Sequence, residues 1–202
     1  VEVSGTIGGG HLTVSAGTLN LTGTSTHTLI DIAAGAELVN ASGKLDAKET
    51  SVNNLGTLTM GADDTIHGYD QGIGGELKGA GTLTVDKAAL LDGGTVSGKL
   101  LGGTVIRGDV LVSGTLGGGD LKVYAGTLSL KGSSTNHTVN IEGGAKLVND
   151  GDLSDQAVVY NAGRLSLMKD ERTDTYSQGG SGLLDGNGVL TAARGASLSG
   201  GT

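Results

Sequence analysis

Two short stretches of the chain carry side chains suited to specific recognition. One holds Asp63, Tyr69 and Gln71, the other Asp170, Tyr176 and Gln178, with the same internal spacing. Tyrosine offers contact area and a hydroxyl at low entropic cost, and glutamine both donates and accepts. The stretches 63–74 and 170–181 are polar, so they predict a protruding turn or loop on which a ligand binds. The competing reading is a structural loop whose tyrosine folds over the body.

Other chemistry is less well supported. Asp63-Asp64 with Asp70, Asp150-Asp152-Asp155 and Asp170-Glu171-Asp174 could each offer oxygens to calcium. Only Asp63 and Asp170 correspond between the two halves, so solvated turn acids are the expectation and no metal or other cofactor is assigned. Carboxylates with Arg107, Arg164, Arg172 or Arg194 could in principle cleave a polysaccharide, yet no spacing gathers them. An enzyme is therefore not expected. His11, His27, His67 and His137 lack metal-ligand spacing and read as surface residues. Gly8-Gly9-Gly10 precedes no helix and fails as a dinucleotide loop.

What must position these residues is a repeat. Val1-Glu2-Val3-Ser4-Gly5-Thr6 returns as Val110-Leu111-Val112-Ser113-Gly114-Thr115, and the offset of 109 slips to 107 further on. Residues 1–109 form a first long repeat and 110–202 a second, incomplete one, expected to be cut from a longer array. A unit of this kind buries its apolar face only against its neighbours. The copies diverge most between Gly43 and Asn54.

Inside the long repeat lies a shorter one. Leu19, Leu38, Leu58, Leu77 and Val96, and then Leu128, Leu147, Leu165 and Leu184, recur every 18 to 20 residues. Around them apolar and polar residues alternate with period two, as in half-buried strands. The prediction is an all-β, right-handed parallel β-helix of about ten rungs, each about 4.8 Å high. The leucines would form one internal ladder, Leu38 inward and Thr13 outward. Glycine would turn the corners, helped by Asn53-Asn54, Asn149-Asp150 and Asn187-Gly188.

Composition agrees. The 202 residues include 40 Gly and no Pro, Cys, Trp or Phe, which suits a narrow interior of stacked small residues. The net charge of −8 without a basic stripe argues against nucleic acid. No run is long and apolar enough to insert in a membrane.

Ala16-Gly17-Thr18-Leu19-Asn20-Leu21, Val52-Asn53-Asn54-Leu55-Gly56-Thr57-Leu58 and Tyr69-x-Gln71 with Gly81-Thr82-Leu83 resemble the passenger domains of bacterial autotransporter adhesins of the pertactin and AIDA type. The resemblance implies display on, or secretion from, a Gram-negative cell. It implies adhesion to a host matrix protein or glycan, or self-association with the same protein on a neighbouring cell. It transfers no catalytic residue. A rigid stalk holding a distal domain is the alternative, and a polysaccharide-degrading β-helix a minor one.

Overall fold

A computed structural model describes residues 1–45 and 49–202. The divergent segment between Gly43 and Asn54 therefore lies partly outside the described residues. Every strand pairs in parallel with a strand one turn away, and no helix occurs among the described residues. The result is a β-solenoid of about 11 turns, close to the ten read from the leucine spacing.

Each turn lays a short strand on each of up to three faces. The first face carries Thr18–Leu21, Glu37–Asn40 and Thr57–Met60, and ends with Leu183–Gly186. The second carries Ser51–Asn54, Gly68–Gln71 and Thr138–Ile141 among others. The third is narrower and runs from Asp64–Ile66 through Thr82–Val85 to Asp152–Leu153. Alternation does what the sequence predicted: Leu38 is fully buried, whereas Thr13 faces solvent. Stacked Leu, Ile and Val fill the interior from end to end.

The leucine ladder is not a single column. On the first face Leu19, Leu38, Leu58, Leu77 and Val96 do stack. Val96 then pairs with Val112, only sixteen residues on, and Val112 with Leu130. Leu128 instead continues a neighbouring column through Val110 and Gly94. The first face thus slips by two residues between the copies. A slip of two preserves the inward face, because side chains alternate with period two, and so the core tolerates it. On the second face no slip occurs: Thr13 and its counterpart Lys122 share one column.

The corners correct a second expectation. No residue other than glycine has positive φ among the described residues, and Asn53, Asn54 and Asn149 lie within strands. Asn54 and Asn149 point inward and are buried. One corner is a glycine file. A Cβ on Gly114 would sit 1.9 Å from the Gly98 carbonyl oxygen, one on Gly132 1.9 Å from that of Gly114, and one on Gly151 2.0 Å from that of Gly132. Backbones stack there so closely that no side chain fits.

Candidate functional site

Tyr69, Gln71, Tyr176 and Gln178 do not lie on protruding loops. They belong to strands of the second face, with their side chains inside the coil. Strand alternation turns both members of Tyr-x-Gln to one side, and the side is the interior. There Asn54 Nδ2 donates to the Tyr69 hydroxyl at 2.9 Å, and the hydroxyl donates to Gln71 Oε1 at 2.8 Å. Gln71 Nε2 reaches the Gly93 carbonyl at 2.9 Å. The second copy repeats the chain: Asn161 to Tyr176 at 2.9 Å, Tyr176 to Gln178 at 2.5 Å, and Gln178 to the Gly200 carbonyl at 3.3 Å, with a shorter bond to the Gly182 carbonyl at 3.0 Å. Burial pushes both phenols above their ordinary range, and the asparagine bonds partly offset it. The tyrosines and glutamines are bonded to interior partners and present nothing to a ligand in solution; Asn161 Oδ1 alone in this set is left without a partner, where Asn54 Oδ1 accepts the Gly56 amide.

Asp63 and Asp170 are exposed but are engaged in the same structural task. Asp63 Oδ1 accepts the Thr82 amide at 2.7 Å and Asp170 Oδ1 accepts the Val189 amide at 2.9 Å, each one turn on. The backbone bond holds the Asp63 carboxyl below its usual range. Asp64, beside it, accepts Asn40 Nδ2 and the Leu45 amide, both at 2.8 Å. No group of three or more His, Asp or Glu is placed to hold a metal among the described residues. His27 is a further correction: it is buried, its Nδ1 2.9 Å from Ser25 Oγ. Its counterpart Asn136 makes the same contact with Ser134 at 2.9 Å.

The surface with recognisable chemistry is the outer side of the second face. One column runs through all its turns: Thr13, Asp31, Asn53, Asp70, Leu90, Val105, Lys122, Asn140, Tyr160, Ser177, Ser197. Its first copy is acidic and its second copy is basic and aromatic. At its middle lie two apolar residues, Leu90 and Val105. Beside them Arg107 grips Asp92 through two bonds, at 2.7 and 3.0 Å. In the acidic half His11 and Asn53 hold Asp31 from either side, at 2.6 and 2.8 Å. Asp70 enters no ion pair among the described residues.

In the basic half Lys122 reaches Glu142 at 2.8 Å, which raises the lysine's pKa, and it also lies over the Tyr124 ring at 5.5 Å. Tyr124 is 58% exposed and Tyr160 50%. The chain's four tyrosines therefore divide into two inside and two outside, and the outer pair has no counterpart in the first copy, where Ser15 and Asn53 stand. Sequence reading passed over this column because its members fall 15 to 22 residues apart. Only the strand register aligns them, although Lys122-x-Tyr124 in an alternating strand was a visible signal.

Fold and surface together define the class as a parallel β-solenoid that displays polar and aromatic residues on one sheet face. No protein family, curated protein or solved structure matches the chain.

Proposed function

We propose that the protein self-associates through the outer side of its second face, pairing antiparallel with a second copy. The observation carrying this reading is that the column is complementary to its own reverse. Turning one copy about a twofold axis midway between Leu90 and Val105 sets Leu90 against Val105 and Asp70 against Lys122 of the second copy. The same operation opposes Asn53 to Asn140 and Asp31 to the Tyr160 hydroxyl. In the flanking columns it opposes Leu29 to Val158, and each Asp92–Arg107 pair to its twin. An interface repeated by a twofold must be self-complementary in this sense.

The face is roughly 45 Å long and 15 Å wide, so each copy would bury on the order of 700 Å², near the ~800 Å² per partner of a standard interface. Apolar centre, charged flanks and exposed tyrosine match the anatomy of such interfaces. The setting is proposed from the adhesin-like motifs: display on a bacterial surface, where pairing between molecules on adjacent cells links the cells. Many weak pairs acting together give avidity well beyond one contact.

Charge reversal tests it. Lys122→Asp and Asp70→Lys should each weaken self-association at least tenfold in sedimentation equilibrium, and the double variant should recover most of it. Cells displaying the protein should clump with one another and not with bare cells. A wild-type chain that stays monomeric, with no clumping, would leave the stalk reading in its place.

A further inference from the structure

The corner between the second and first faces forms a shallow open groove in the second copy. Its floor is glycine and alanine: Gly126, Gly144, Ala145 and Gly163. Its rim is the outward column Thr127, Lys146, Arg164, Leu183. The first copy builds the same corner with Gly17, Gly35 and Gly56, but its rim is Thr18, Glu37, Thr57, Glu76. One backbone design therefore carries an acidic rim in the first copy and a basic rim in the second, with Lys146 standing where Glu37 stands and Arg164 where Thr57 stands.

The acidic version is internally compensated. Glu37 accepts Thr59 Oγ1 at 2.8 Å and Thr18 Oγ1 at 3.2 Å, and Lys78 lies 3.5 Å away. The basic version is not. Lys146 and Arg164 are direct cross-strand neighbours, about 4.8 Å apart along the coil, and like charges so placed cost stability. Asp185 answers Arg164 at 2.6 Å and accepts Ser166 Oγ at 2.5 Å, leaving one carboxylate for two cations. Lys146 forms no ion pair among the described residues.

We infer that this groove binds a carboxylated polysaccharide, with sugar carboxylates taken by Lys146 and Arg164. A pyranose ring is about as long as one turn is high, so successive cations can meet successive sugars. Arginine's planar fork suits a carboxylate. The glycine floor lets a bulky ring approach the backbone, and Thr127 and Ser181 offer hydroxyls along the edge. A denser polyanion such as DNA is repelled by the chain's net charge of −8. Its cations lie on the first face, outside the self-pairing column, and the site stands or falls without that pairing.

The test is binding of oligogalacturonate, which carries a carboxylate on every sugar, to the whole chain by calorimetry, with oligomeric state followed by sedimentation. Lys146→Glu with Arg164→Thr installs the residues the first copy already accepts, so the fold should hold. It should weaken binding at least tenfold and leave oligomeric state unchanged. Lys87→Glu with Lys99→Thr changes the net charge equally at another site and should leave binding unchanged. Equal loss in both variants, equal binding of neutral dextran, or tighter binding of a DNA duplex would overturn the proposal. So would no binding of oligogalacturonate by the wild-type chain. Dissociation of a self-associated species by the groove variant alone would assign the groove to a second copy instead.

Discussion

Inside the coil, Tyr69 donates its hydroxyl proton to Gln71 Oε1 across 2.8 Å, two residues along one strand. The same hydroxyl accepts from Asn54 on the preceding turn, so a single oxygen fastens two turns together within an apolar interior. Tyr69→Phe leaves the Gln71 oxygen without that donor, while Asn54 keeps its bond to the Glu76 carbonyl. The expected cost is about 1–3 kcal/mol, the usual penalty for orphaning a buried polar group. Thermal melts should show it clearly. Tyr160→Phe, on the outer surface, should leave the melting temperature nearly unchanged.

The glycine file makes a sharper test. Gly132→Ala forces a methyl against the Gly114 carbonyl, a backbone atom that cannot swing aside. The substitution should lower stability by more than about 2 kcal/mol, beyond the ordinary range for surface changes. Gly5→Ala meets nothing within 4 Å and should be close to neutral in the same chemical denaturation series.

Acid should act through two opposed sets of carboxyls. Arg194 holds Asp174 below the usual carboxylate range, Ser166 and Arg164 do so for Asp185, and Thr59 and Lys78 for Glu37. For these groups the folded state prefers the charged form, so their contribution is present above the ordinary carboxylate pKa and is lost as pH falls through the lowered folded values. Glu171 is the reverse: burial raises its pKa. Its contribution is present below the ordinary glutamate pKa and is lost as pH rises through the raised folded value. Melting temperatures between about pH 3 and pH 7 should therefore fall on the acid side less steeply for Asp174→Asn than for wild type. Glu171→Gln should gain relative to wild type as pH rises. Parallel curves for all three proteins would contradict these assignments.

Self-pairing of the second face should depend on salt. Its Asp70–Lys122 contacts flank the twofold axis, and the attraction that brings the two charged faces together is screened by salt, with a Debye length of about 10 Å at 0.1 M. Raising NaCl from about 0.05 to 0.5 M should weaken association of the wild-type chain. The Lys122→Asp variant, which opposes two carboxylates, should respond in the opposite direction.

Most of the architecture was legible in the residues themselves. Alternation at Leu58-Thr59-Met60 gave strands, and the spacing of Leu19, Leu38 and Leu58 gave turns of the right length. Tyr69 and Gln71 were harder because polarity suggested a loop, whereas a buried chain of mutually bonded polar groups is as acceptable inside a coil as leucine. Asn54 misled for the same reason: asparagine tolerates left-handed turns, but here it serves as a donor to an interior hydroxyl. The outward column could not be read at all without the register, since its members follow no fixed period, from 15 residues between Leu90 and Val105 to 22 between Asp31 and Asn53.

The short turn from Val96 to Val112 decides what each side of the molecule can carry. On the second face corresponding residues of the two copies lie on one straight line, like studs on a rail. On the first face the line breaks near Gly94 and resumes two residues over, a sidestep of about 7 Å at 3.3 Å per residue. A rigid rod can therefore lie along both copies of the second face, while anything bound lengthwise on the first must bend or stop at the break.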